Sequence, residues 1–153
     1  MVSEKSMFSI TARTEIEINA APERVWEVLT DLDSYREWNP MIRSARGRVE
    51  PGGPLKLHFN PPGTRGAVFF PIVLAADKNR RFSWRGRLRL PFIFCNEHYF
   101  ILEEPGPGRT LLKHGMEFRG VVVPLLRKAI MKNTEAPFML MNRALKERAE
   151  GLH

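Results

Sequence analysis

The stretch APERVWEVLTDLDSYREWNP, Ala21 to Pro40, carries the reading of the fold. Pro22 suits the first position of a helix, where its missing N–H would have no partner anyway, and Val25, Trp26 and Leu29 follow at helical spacing. A second short turn of helix opens at Asp33 or Ser34. It must stop before Asn39-Pro40, because proline disfavours helical backbone in the residue ahead of it. Upstream, Phe8, Ile10, Ala12, Thr14, Ile16 and Ile18 alternate with Ser9, Thr11, Arg13, Glu15 and Glu17, the period of a half-buried strand.

Downstream the chain reads as strands near 43–49, 54–60, 65–76, 80–88, 93–104 and 109–119. Their breaks are Glu50-Pro51-Gly52-Gly53, Asn60-Pro61-Pro62-Gly63, Asp77-Lys78-Asn79 and Pro105-Gly106-Pro107-Gly108. Short turns between sequential strands give an antiparallel meander. Pro71 inside the third of them calls for a bulge, a bend or an edge position. The period then changes. Pro124 opens a helix in which Leu126, Ile130, Met141, Leu145 and Ala149 form one stripe, and Gly151 stops it after about Glu150. Pro137 should kink that helix near Asn133.

The order predicts an α+β fold: a curved, seven-stranded antiparallel sheet wrapped around a long C-terminal helix, with two short helices after the first strand. The sheet's apolar face needs a cover, and the last helix is the element large enough to supply it. With no linker and no repeat, residues 1–153 form one domain with a core of about 8–150.

Composition narrows the function. The chain is 43% hydrophobic, with ten Phe, three Trp and seven Met, side chains suited to lining a cavity as well as filling a core. Cys95 is the one cysteine, so no internal disulfide can form. The N-terminus has no signal-like pattern and no run approaches about 18 apolar residues, so a cytoplasmic location is expected and no integral membrane segment. The net charge of +7 is scattered over the chain; it argues for weak contact with an anionic membrane surface at most, and for no nucleic-acid partner.

The stretch from Ala21 to Pro40 resembles the START-like (SRPBCC) superfamily with the helix-grip fold, in its polyketide cyclase/dehydrase-like branch. Phe82-Ser83-Trp84-Arg85-Gly86, His98-Tyr99-Phe100 with Leu102-Glu103, His114 through Gly120, and Met141 to Lys146 extend the likeness from about Phe8 to Glu150. The resemblance implies a cavity between sheet and helix for lipids, sterols, hormones, polyketides or quinones; a minority of members are cyclases or dehydratases. It also places Tyr35 and Trp38 beside the cavity mouth, where packing and gating both remain open, and the Leu90-Pro91-Phe92 loop next to them.

Alternation places candidate residues on the inward face. Trp84 lies there with Phe82 and Gly86; Phe94, Asn96, His98 and Phe100 follow on the next strand; His114, Met116 and Phe118 on the last. Glu97, Glu103 and Glu117 fall on the outer face, where Arg81, Arg85, Arg87 and Arg89 can pair with them. Odd-numbered loops centred on Gly106 and Pro91 would set His98 opposite His114 and Trp84 opposite His98, a transverse row. Phe138 and Met141 would floor the cavity from the helix.

For the histidines three roles stay open: a neutral structural pair, ligand orientation, or general acid–base chemistry. No zinc-ligand spacing, HExxH, phosphate-binding glycine loop or Gly-x-Ser-x-Gly occurs, and no metal or cofactor is expected. The expected function is binding of a small hydrophobic molecule, lipid-like, polyketide-like or isoprenoid-like. The alternatives are a cyclase or dehydratase using His98 or His114, and an interaction module for an apolar protein segment or membrane surface.

Overall fold

The computed structural model describes residues 2–86 and 92–151, with side chains from Met7 onward. Strand β1 (Val2–Ser6) forms a hairpin with β2 (Ser9–Ile18), which leads into helix α1 (Pro22–Thr30). A single 3-10 turn (Leu32–Ser34) and the short α2 (Tyr35–Trp38) follow. Then come β3 (Ile42–Gly47), β4 (Leu55–Phe59), β5 (Ala67–Phe69), β6 (Ile72–Asp77), β7 (Arg81–Arg85), β8 (Cys95–Glu103) and β9 (Thr110–Arg119). Two helices, α3 (Val123–Asn133) and α4 (Glu135–Glu150), close the chain.

Among the described residues the strands make a six-stranded antiparallel sheet, ordered β1-β2-β9-β8-β7-β6, and a three-stranded one, β3-β4-β5. The seven-stranded expectation differs in two places. The polar segment Val2–Ser6 adds an edge strand that hydrophobic alternation could not reveal. Pro71 divides the expected 65–76 strand into β5 and β6, since it has no N–H to give to a ladder. The two sheets nevertheless meet at this break. The Pro71 carbonyl accepts from Leu55 N–H at 2.9 Å, and Val73 N–H donates to the Gly53 carbonyl at 2.9 Å. The far end of the expected 80–88 strand, with Arg87, Leu88 and Arg89, and the loop through Leu90 and Pro91 lie outside the described residues.

The long helix is broken rather than kinked. Thr134 separates α3 from α4, and its hydroxyl turns back to the Ile130 carbonyl. Pro137 thereby falls in the first turn of α4, where no intrahelical N–H is required, instead of interrupting a continuous ladder. α4 buries Phe138, Met141, Asn142, Leu145 and Ala149 against β2, β9 and α1. It ends as the sequence indicates, with Gly151 at φ +73° returning N–H bonds to the last turn. No described helix is long and apolar enough to cross a membrane.

Outside, Arg81 pairs with Glu97 at 2.9 Å and Lys113 with Glu103 at 2.6 Å, partly exposed contacts of small individual value. One outer-face position is tightly constrained. Gly115 sits opposite Tyr99, and a Cβ there would lie 2.5 Å from the tyrosine oxygen and 2.6 Å from the Ala12 carbonyl. Because the carbonyl belongs to a paired strand, it cannot yield cheaply. Gly115→Ala is expected to cost about 2 kcal/mol and to lower the thermal midpoint by roughly 4–8 °C in a melt followed by circular dichroism.

Candidate functional site

Strands β7, β8 and β9 hold the candidate residues, and cross-strand register brings them together. Trp84 pairs with His98, as expected for a loop centred on Pro91. His98 pairs with Met116, however, and His114 with Phe100, two residues away from the expected His98–His114 pairing. The cause is the turn. Arg109 N–H donates to the Gly106 carbonyl at 3.2 Å, and Gly108 adopts φ +73° behind Pro107, the Pro-Gly signature of a type II turn. That turn moves the centre of the hairpin to Pro107; the parity, and so the facing, is preserved.

The rings meet diagonally instead. His98 Nε2 lies 2.7 Å from His114 Nε2, and the His98 ring stacks on Trp84 at 4.6 Å between centroids. Phe100 and Phe138 cover His114 at 4.3 and 4.4 Å. His98 and His114 are buried, 4% and 0% exposed.

The proton positions follow from a chain of hydrogen bonds. Thr14 Oγ1 donates to the His114 backbone carbonyl at 2.9 Å, and a carbonyl can only accept. The Thr14 oxygen must therefore accept from its other neighbour, Asn142 Nδ2, at 2.7 Å. That fixes the amide, so Asn142 Oδ1 is the atom 2.7 Å from His114 Nδ1, and His114 carries its proton on Nδ1. His114 Nε2 is then a lone pair, and His98 must donate to it from Nε2. Both rings are neutral. Burial, reinforced by the repulsion that charging both rings at once would bring, pushes the His98 pKa well below the usual histidine value. Burial lowers that of His114 to about 4, opposed by its bonds to Asn142 and the Phe138 backbone. His98 Nδ1 remains an acceptor with no hydrogen-bond partner among the described residues.

His98 opens onto a cavity of about 570 Å³ between the two sheets. One wall is Trp84, Gly86, Phe94, Asn96, His98 and Met116; the other is Ile42, Leu57, Phe59 and the stretch from Val68 in β5 to Pro71 beyond it. Val68, Phe69 and Phe70 are each about half exposed, so the cavity communicates with solvent on their side. Asn96 is oriented by Gly86, whose N–H donates to Asn96 Oδ1 at 3.3 Å. Among the described residues no charged side chain lines the space. Among the described residues no group of three or more His, Cys, Asp or Glu could hold a metal ion.

Five expected ligand-facing residues thus line the cavity: Trp84, Phe94, Asn96, His98 and Met116. Five do not. Phe100 and Met141 are fully packed core, His114 lies behind His98, and Phe138 covers both imidazoles. Phe118 packs with Phe94 in a separate cluster around Ile10 and Val123. The expected mouth residues also stand elsewhere. Tyr35 is fully buried, donating to the Leu29 carbonyl at 2.5 Å, and Trp38 packs against its ring. Phe92 is exposed but does not line the cavity. The cavity itself lies between the two sheets and not between sheet and helix: no helix residue is among its described lining, and α4 packs mainly against β2 and α1. Two features escaped the sequence reading: the β3–β5 wall and Asn142. Asn142 had a signal, being the polar residue on the α4 stripe between Phe138 and Leu145.

The arrangement has known counterparts. A family model described as polyketide cyclase / dehydrase and lipid transport matches residues 9–150. The fold is similar to the Zhui aromatase/cyclase from Streptomyces sp. R1128, with a TM-score of 0.74 at 18% identity over 93% of this chain and 94% of that one. It is also similar to norcoclaurine synthase from Thalictrum flavum in complex with dopamine and hydroxybenzaldehyde, with a TM-score of 0.72 at 13% identity over 95% and 88%. A START superfamily protein from Mycobacterium smegmatis gives 0.66 at 20% identity over 94% and 99%. No curated protein matches the chain in sequence. At these identities the likeness is one of fold.

Proposed function

The chain belongs to the polyketide cyclase/dehydrase and lipid transport family, and from that premise we propose that it binds a small apolar molecule in the cavity between its two sheets. The observation that carries this reading is the lining itself. About 570 Å³ is enclosed mostly by aromatic and aliphatic side chains, with Asn96 and His98 as the placed polar groups. That is the size and chemistry of a small-molecule site. Aromatic polyketide-like, isoprenoid-like and lipid-like compounds are the matching ligand classes.

Native mass spectrometry of protein purified from its own host under mild extraction tests the proposal. One apolar molecule per chain is expected, released on denaturation. Met116→Trp should fill the space from the β9 wall and abolish the bound mass while the circular dichroism spectrum stays unchanged. A bound mass that persists in this variant would place the ligand elsewhere.

One observation favours a second reading, a cyclase- or dehydratase-type enzyme. A neutral imidazole with an unshared Nδ1 pair at the cavity wall has the form of a general base. Under that reading His98→Phe loses turnover while ligand binding persists. Equal loss of binding and turnover would return His98 to orientation alone.

A further inference from the structure

The polar groups of the cavity are not interchangeable, and their orientation says what kind of molecule they can hold. His98 gives its one proton to His114, so only an acceptor, Nδ1, is left on its ring. Asn96 accepts from Gly86 N–H on Oδ1, which orients the amide and leaves the Nδ2 donors unshared. A side chain larger than hydrogen at residue 86 would press on that oxygen, since a Cβ there lies 3.0 Å from it; the glycine is what lets the amide be clamped. The two residues share one face of β8, two positions apart, which separates their backbones by about 7 Å. Among the described residues no other polar side chain lines the space, and no cationic one does.

Resting on the binding function above, we propose that the cavity selects uncharged molecules with a hydroxyl or N–H that donates to His98 Nδ1 and an oxygen that accepts from Asn96 Nδ2. Phenols and alcohols on an aromatic or polycyclic frame have this chemistry. The frame lies in the space walled by Trp84 and Met116. Carboxylates are disfavoured twice. A carboxylate has no proton for the His98 lone pair, and the described lining offers no counter-charge for a desolvated anion.

The order of the bonds matters as much as their number. Thr14 sets Asn142, Asn142 sets His114, and His114 sets His98. The cavity's preference for a donor is thus fixed by residues that never touch the ligand, so Asn142 and Thr14 are positioning residues.

Titration with 2-naphthol, 2-methoxynaphthalene, 2-naphthoate and 6-acetyl-2-naphthol at pH 7.5 tests this. 2-Naphthol should bind on the order of 10-fold more tightly than its methyl ether, and 2-naphthoate most weakly of the four. The acetyl compound should gain a further factor that Asn96→Leu removes, leaving the preference for 2-naphthol over its ether in place. In the wild-type protein, a long-range proton–nitrogen correlation spectrum should show the His98 Nδ1 signal moving with 2-naphthol and not with the ether. That readout stands even if His98→Phe does not fold. Equal affinities for 2-naphthol and its ether, or tightest binding of 2-naphthoate, would overturn the selectivity and leave the binding function intact. Failure of all four probes to bind would overturn both.

Discussion

Between pH 6.5 and 4 the folded protein is expected to lose about 3 kcal/mol of stability through His114 alone. In the unfolded chain the imidazole titrates near 6.5, whereas in the folded protein burial holds its pKa at about 4. Between these values the unfolded state binds the extra proton and the folded state does not, so stability rises with pH. The contribution is fully present above the unfolded value and lost as pH falls toward the folded one. His98, lowered in the same direction, adds to the same loss.

Carboxylates begin to protonate below about pH 5, so the informative window is from 6.5 to 5. There, urea unfolding should show stability falling by at least about 1.4 kcal/mol per pH unit once below 6. The slope should vanish in the His98→Phe, His114→Leu double variant. A flat profile in the native protein across that window would mean that the imidazoles are not held neutral.

The second large effect is expected for Asn142→Leu. Leucine keeps the branched skeleton of asparagine with bulkier ends, so no cavity is made and the loss of the hydrogen bonds is the main cost. Removal of the amide leaves the His114 Nδ1–H without its Asn142 acceptor and takes the Nδ2 donor from Thr14, at a fully buried position. The expected cost is about 2–4 kcal/mol, a fall in thermal midpoint of roughly 5–15 °C. Two further signs separate this from a general loosening. The Asn142 bond raises the His114 pKa, so the variant's value should move further down. The tautomer of His98 should also cease to be uniform, since His114 is no longer held with its proton on Nδ1. A variant that is merely less stable, with both tautomers unchanged, would show that Asn142 does not order the pair.

What the sequence disclosed follows the physics of each element. Period-two alternation revealed which face of β7, β8 and β9 is inward, and Phe82, Trp84, His98, Phe100 and His114 are all buried there. The caps Pro22 and Gly151 marked helix ends because proline and glycine act locally. Register was another matter. It depended on whether Gly106 or Pro107 centred one hairpin, and the Pro107-Gly108 pair held the answer as a type II turn. The histidines still meet, because imidazoles reach across a diagonal.

The cavity was harder to place. Its second wall, from Ile42 to Phe70, depends on how two sheets meet at Pro71, a tertiary outcome with no local signal. For Tyr35 packing and gating both stayed open in the sequence for a related reason. A tyrosine at a mouth and a tyrosine whose hydroxyl reaches a buried carbonyl have the same sequence, and only packing against Leu29 and Trp38 distinguishes them.

The most direct test of a ligand-holding cavity is methionine-methyl NMR during titration with an uncharged hydroxylated polycyclic probe, 9-anthracenemethanol. Met116 lines the cavity, Met141 is buried in the core, and Met7 and Met131 are exposed. Saturable movement of the Met116 signal, with Met7 and Met131 unmoved, is the predicted result. A Met116 signal that stays still, or exposed methionines that shift together without saturation, would contradict a ligand site between the two sheets.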